Sequence, residues 1–292
     1  MELDVTWTEV FAEAPLEGNL LPVLTGADGI STDVMATVAR RFQLSETSFV
    51  QVATDPAADY RHRIFTVAGE IPFAGHPSLG TAAVVARRRD ETVVDLVQQT
   101  ISGRQRLHVT LDGTTARVDL EQNPVEFGAA PAVSALLAAL GLDESARRND
   151  LPVQIVSTGL PALVVPLADL DALQSIELDR SALRAASDAI AAIDDAPMLN
   201  AYLVVETGPG QWRARMMSAD LPAGEDPATG SAAGPFGAYA QRHLGTARID
   251  IDQGVEMGSP SRIAVDVSDG VVVSGTVRII GTGRHEVPGD DD

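Results

Sequence analysis

Two stretches decide the reading of this chain: PFAGHPSLGTAA at 72–83 and PAGEDPATGSAA at 222–233. A shift of 150 residues lays one over the other and matches Pro72 to Pro222, Pro77 to Pro227, Gly80 to Gly230, Ala82 to Ala232 and Ala83 to Ala233. In that register His76 falls on Asp226 and Thr81 on Ser231. Each stretch follows strand-like sequence and opens an Ala-rich helix, which is the signature of an internal duplication. The helices expected over Leu79–Ala86 and Gly230–Tyr239 have almost no polar face, and a helix that is apolar all round is a buried one. The expectation is therefore two similar domains, each a sheet wrapped around its own central helix.

Working outward, alternation at Leu3–Val10 reads as a strand, and Ala14–Asn19 reads as a Pro/Gly loop. Ser31 caps a helix over Thr32–Phe42. Thr47–Val52 and Tyr60–Val67 are strands, followed by the loop Gly69–Pro77 and a helix from Ser78 to Arg88. Asp112-Gly113 joins strands at Arg106–Leu111 and Thr114–Leu120 in a hairpin. In the second half Pro131–Leu140 is helical, and Val153–Val165 holds strand sequence. A Ser opens a helix over Ser181–Ile193. Leu199–Glu206 and Gln211–Met217 are strands, the loop Pro222–Pro227 leads into a helix over Thr229–His243, and Asp269-Gly270 closes a last hairpin. The tail Gly289–Asp292 reads as a frayed acidic end. Domain boundaries follow at 1–124 and 125–292, joined near Asn123–Ala130, with the last strand free to pair back onto the first domain.

Composition narrows the partners. The 292 residues carry 41 acidic and 21 basic side chains, a net charge of −20, and every basic one is Arg. Nucleic acid and anionic membrane surfaces call for a basic face, so neither is an expected partner. With 45% hydrophobic residues the chain is globular rather than disordered. A Lys-free acidic surface fits either adaptation to high salt, where self-repulsion is screened, or a GC-rich genome that favours Arg codons. No signal peptide or membrane span is legible, so a cytoplasmic protein is the expectation. There is no Cys, hence no disulfide, thiolate metal site or thiol nucleophile. The five His residues (His62, His76, His108, His243, His285) lack ligand spacing, so no metal is expected. No GxGxxG follows a strand, so no dinucleotide cofactor is expected either.

The paired loops carry the chemistry. Helix N-termini present free N–H groups and partial positive charge, so two of them at one cleft would bind an anion. Gly75, Gly80, Gly230 and Ser231 suit close backbone approach there. His76 and Asp226, each before a Pro, suggest proton handling, with the helix ends disfavouring a His cation and lowering a carboxylate pKa.

At this point the sequence resembles a known family. Leu44-Ser45-Glu46-Thr47-Ser48-Phe49-Val50, Arg63-Ile64-Phe65-Thr66, the His76 and Asp226 stretches, Gly18-Asn19, Gln253-Gly254 and Gly258-Ser259-Pro260-Ser261 together resemble the PhzF family of the diaminopimelate-epimerase-like superfamily, in order along roughly the whole chain. The resemblance implies an α/β (α+β) fold of two duplicated domains, each a mostly antiparallel β-barrel around a central buried helix. It implies no cofactor, a small carboxylate substrate bound between the domains, and a homodimer. The implied activity is isomerisation of trans-2,3-dihydro-3-hydroxyanthranilate or a similar acid. Glu46 matches the proton-shuttling carboxylate, His76 and Asp226 its acid/base partners. Gly75, Gly230, Ser231 and Asn19 match the substrate-binding set. Two positions depart from the pattern: Ser259 stands where Arg is common, with Arg262 three residues on, and Leu20 follows Asn19 where Pro is usual. Both bear on which substrate is taken. Two other readings follow from the same residues, a His/Glu/Asp epimerase or racemase of another small acid, and a catalytically silent small-acid binding protein. The two-cysteine racemase mechanism is excluded by the absence of Cys.

Overall fold

The computed structural model describes residues 1–89, 91–194, 199–221 and 223–288. Pro222 of the repeat and the acidic tail lie outside the described residues. The strands are β1 (Glu2–Val10), β2 (Asn19–Thr25), β3 (Thr47–Gln51), β4 (Tyr60–Phe65), β5 (Glu70–Ile71), β6 (Val93–Thr100), β7 (Gly103–Asp112), β8 (Thr115–Glu121), β9 (Glu126–Phe127), β10 (Gln154–Ser157), β11 (Pro161–Pro166), β12 (Asn200–Gly208), β13 (Gln211–Met217), β14 (Glu225–Asp226), β15 (Arg248–Gln253), β16 (Ser261–Asp266) and β17 (Val272–Glu286). The helices are α1 (Thr32–Phe42), α2 (Gly75–Ala86), α3 (Ser134–Ala139), α4 (Leu170–Gln174), α5 (Arg180–Ala191) and α6 (Gly230–Leu244). None of these helices is long and apolar enough to cross a membrane.

The chain divides into two compact units. One comprises Met1–Glu121 and the chain after Val273, the other Gln122–Val273. In the first, β17–β1–β2–β3–β4–β6–β7–β8 are hydrogen-bonded in that order and β8 returns to β17, closing an eight-stranded barrel. Period-two alternation sends Leu96, Leu107, Val109, Ala116, Val118 and Leu120 inward. α2 lies among them, buried at every position except Val85. On the outside, α1 covers Leu3, Val5, Leu24, Phe49 and Phe65 with Met35 and Val38. In the second unit the pairing runs β9–β10–β11–β12–β13–β15–β16. α6 is buried from Gly230 to Ala240. α3 and α5 pack Leu136, Leu140, Leu183 and Ile190 against Leu163, Val165, Leu203 and Val205.

The two units repeat one strand grammar. β1–β2 is antiparallel, β2–β3 parallel, β3–β4 antiparallel and β4–β6 parallel, with β5 pairing to β4. β10–β11, β11–β12, β12–β13 and β13–β15 follow the same sequence of senses, with β14 pairing to β13. The hydrogen-bonded rows fix the true register. Glu70–Phe65–Thr47 in the first unit is the row Glu225–Met217–Ala201 in the second. Gly230 therefore stands opposite Gly75 at a shift of 155, not 150. This corrects the equivalence of His76 with Asp226: the partner of His76 is Ser231, and the partner of Asp226 is Ile71.

Several boundaries also move. α2 begins at Gly75 rather than Ser78, because first-turn N–H groups have no intrahelical acceptor and Pro77 loses nothing there. The cap of α5 is Asp179, not a Ser; its carboxylate accepts from the backbone N–H of Ser181 and Ala182 at 3.0 Å. The helix near 131–140 is confined to Ser134–Ala139. Ser31 caps α1 as expected, accepting from Val34 N at 3.3 Å. The expected loop Ala14–Asn19 gives way at Asn19 to β2, a strand the sequence reading did not assign, buried despite Pro22.

Candidate active site

In the first unit, β3 and α2 bring Glu46, His76 and Asn19 together. His76 is the second residue of α2 and is 2% exposed. Its Nε2 lies 3.5 Å from Glu46 Oε2, at the residue preceding β3. Its Nδ1 lies 3.3 Å from Asn19 Nδ2, at the start of β2. An amide nitrogen can only donate, so Asn19 makes His76 Nδ1 the acceptor and leaves the proton of the neutral ring on Nε2, facing Glu46. Burial, with the nearby His62 adding to it, pushes the His76 pKa down to about 3. The ring is therefore neutral at ordinary pH. The expected suppression of the cation is present, and burial is its main cause.

Behind this trio lies a buried polar chain that the sequence did not announce. Ser48 Oγ and Thr81 Oγ1 donate to His62 Nε2 at 2.8 and 3.2 Å, and His62 Nδ1 donates to Gln98 Oε1 at 3.0 Å. Gln98 Nε2 donates to Ser78 Oγ at 2.8 Å, and Ser78 Oγ to the Ala74 carbonyl at 2.7 Å. The chain ends on the residue before Gly75 and so fixes the first turn of α2. His62 is likewise pushed down by burial, to about 4, against a raising contribution from Gln98.

In the second unit, Asp226 is buried on β14 and accepts from Thr229 Oγ1 at 2.5 Å. Gln253 Nε2 donates to the Asp226 carbonyl at 2.8 Å and to Thr229 Oγ1 at 2.9 Å, while Gln253 Oε1 accepts from Tyr202 OH at 3.1 Å. Gly254 follows at φ +73°, and a Cβ there would stand 2.4 Å from the Ser259 carbonyl and 2.5 Å from that of Pro227. Only glycine permits this approach. Ser231 is 8% exposed at the second position of α6, after Gly230.

One contrast bears on ligands. α1, α4 and α5 are capped by Ser31, Asp169 and Asp179. α2 and α6, like the six-residue α3, have no side-chain cap, Ala74 having no cap group and the Thr229 hydroxyl being spent on Asp226. Their first-turn amides are thus left to other acceptors, as an anion-binding helix end requires. Two matched ion pairs hold the approach to these turns. Arg63 Nε and NH2 donate to Glu70 at 2.8 and 2.6 Å, and Arg215 donates to Glu225 at 2.9 and 2.7 Å. Sequence reasoning quoted Arg63 only as part of a motif and missed Arg215, whose role shows only when β4–β5 and β13–β14 are superposed. Among the described residues no cluster of three or more His, Asp or Glu is arranged to hold a metal ion.

The barrel around a buried helix and the relatives that share it make this protein an isomerase. The profile of the phenazine biosynthesis-like protein family, PhzC-PhzF, matches residues 8–287, and the chain belongs to this family. It is 35% identical over 258 residues to a trans-2,3-dihydro-3-hydroxyanthranilate isomerase of Pseudomonas chlororaphis, covering 87% of this chain and 86% of that one. It is 34% identical over 259 residues to the isomerase of the same name from Pseudomonas aeruginosa, covering 87% of each. Among solved structures, a predicted epimerase from Pseudomonas aeruginosa superposes with a TM-score of 0.84 at 30% identity, covering 97% of this chain and 99% of that one. A hydroxyproline epimerase from Agrobacterium vitis shares the fold at 13% identity and a TM-score of 0.68, covering 100% of this chain and 92% of that one.

Proposed function

We propose that this isomerase moves a proton between two carbons of a small conjugated carboxylic acid, without a cofactor, and that trans-2,3-dihydro-3-hydroxyanthranilate or a close analogue is its substrate. The observation that carries the reading is the pairing of Glu46 with a neutral His76 whose proton faces it. A positioned carboxylate can take a proton from one carbon, exchange it with solvent and deliver a proton to another carbon, leaving no net change in the enzyme. His76 then acts as a hydrogen-bond donor that orients Glu46 and loses this role if it is turned or charged. Asn19 keeps its tautomer. Asp226, held by Thr229 and Gln253, is the second acid/base group. The uncapped amides at Gly230–Ser231 take the substrate carboxylate. The same reading has the enzyme acting as a homodimer on a soluble small molecule.

The test is turnover of trans-2,3-dihydro-3-hydroxyanthranilate in D₂O, followed by mass spectrometry. Isomerised product carrying one solvent-derived deuterium at the reprotonated carbon is expected. Binding without product, or product without deuterium, contradicts the proposal.

A further inference from the structure

The row register that equates His76 with Ser231 also equates Glu46 with another residue. Ser48–Ile64–Ile71 corresponds to Tyr202–Met216–Asp226, so two positions back along β3 and β12 Glu46 corresponds to Asn200. Alternation puts Asn200 on the same face as Tyr202, whereas Ala201 and Leu203 pack outward against α3 and α5. Tyr202 shows where that face looks: its ring lies 6.0 Å from Phe236 of α6, and its hydroxyl bonds Gln253 beside the Thr229 amide. Asn200 opens β12, which is separated by β13 from β14, the strand from which the chain enters α6. It is 7% exposed, and its Oδ1 is buried with no hydrogen-bond partner among the described residues.

A buried amide oxygen without a donor is costly unless something brings one. The register that sets Asn200 in the place of Glu46 and Ser231 in the place of His76 turns Asn200 toward the uncapped first turn of α6, which has only donors to offer an incoming carboxylate. We infer that Asn200 Oδ1 is a substrate-binding acceptor that selects acids bearing a hydrogen-bond donor, an amino or hydroxyl group, next to the carboxylate. The carboxylate would sit on the α6 amides and the neighbouring donor on Asn200. This deepens the isomerase reading and rests on it for the presence of a carboxylate substrate, but it needs no proton transfer.

The experiment is calorimetric titration of the full-length protein with 2-aminobenzoate and with benzoate, which differ only in the donor. Wild type is expected to bind 2-aminobenzoate at least about tenfold more tightly. Asn200→Leu should bring the ratio close to one, while Asn200→Asp, which keeps an acceptor at that place, should preserve the preference. Melting curves of both variants establish that they are folded. Equal binding of the two probes by wild type, binding of neither, or an undiminished ratio in a folded Asn200→Leu overturns the inference. Turnover of the dihydro acid alongside such a result leaves the isomerase reading intact. A preference that follows Asn200 in a protein without turnover removes the isomerase reading and leaves this one.

Discussion

The entries to α2 and α6 are built on one backbone plan and filled with opposite chemistry. Each is reached through a two-residue strand, a bidentate Arg–Glu pair and an uncapped first turn beginning in Gly. In the first unit the two inward positions are Glu46 and His76, both able to take part in proton transfer, with a buried imidazole, His62, one layer deeper. In the second unit the same places hold Asn200, Ser231 and, for His62, Ala214, none of which titrates. The second unit carries its carboxylate instead on β14, at Asp226, where the first has Ile71. The two units thus share a scaffold that leaves helix amides uncapped and differ in the side chains around it, titratable in the first and neutral in the second apart from Asp226.

The largest effect should come from the part the two units share. If the Arg–Glu pairs are equivalent staples, Arg63→Ala and Arg215→Ala should each cost about 3–5 kcal/mol of stability, since each leaves a largely buried carboxylate unpaired. Urea unfolding would measure it. A loss confined to one of the two variants would break the equivalence.

The next effect should separate the units. In the unfolded chain His62 and His76 take up protons near pH 6.5, whereas in the folded chain they do so only near 4 and 3. Between those limits the unfolded state binds more protons, so stability falls as pH drops below about 6.5. The slope approaches about 1.4 kcal/mol per pH unit for each histidine. Trp7 lies in the first unit and Trp212 in the second, and there are no others. Unfolding followed in Trp212→Phe should therefore show the steep acid sensitivity of the first unit, and His62→Gln should remove about half of it. An unchanged slope in His62→Gln would show that acid sensitivity arises elsewhere.

The sequence made some of this legible and hid the rest for identifiable reasons. The burial of α2 and α6 could be read because neither has a polar stripe. The repeat could be seen, but its register was set five residues off, since Gly, Pro and Ala recur in any buried helix entry and their identities outvoted the single Glu-Pro-Gly spacing that matters. Only the hydrogen-bonded rows resolve this, and they alone expose Asn200 as the counterpart of Glu46. β2 escaped because Asn19–Thr25 is buried on both faces and contains Pro22, so it neither alternates nor looks like a strand. Glu46 itself was legible through resemblance to the family; nothing in Ser45-Glu46-Thr47 reveals that it meets a histidine thirty residues away. The polar chain from Ser48 to Ala74 joins residues from four elements and the cap of α2, and has no local signature at all.

The central claim is that the proton moves through Glu46 while His76 orients it. The direct measurement is the rate of deuterium uptake from D₂O into the dihydro acid by wild type, Glu46→Gln, His76→Ala and the double variant, with the Kd for 2-aminobenzoate and the Tm measured on each. Glu46→Gln should slow uptake by about 10²–10⁴-fold with Kd and Tm nearly unchanged. The double variant should be little slower than Glu46→Gln, because the two groups act as a unit. A Glu46→Gln enzyme exchanging at the wild-type rate would show that Glu46 is structural and contradict the account.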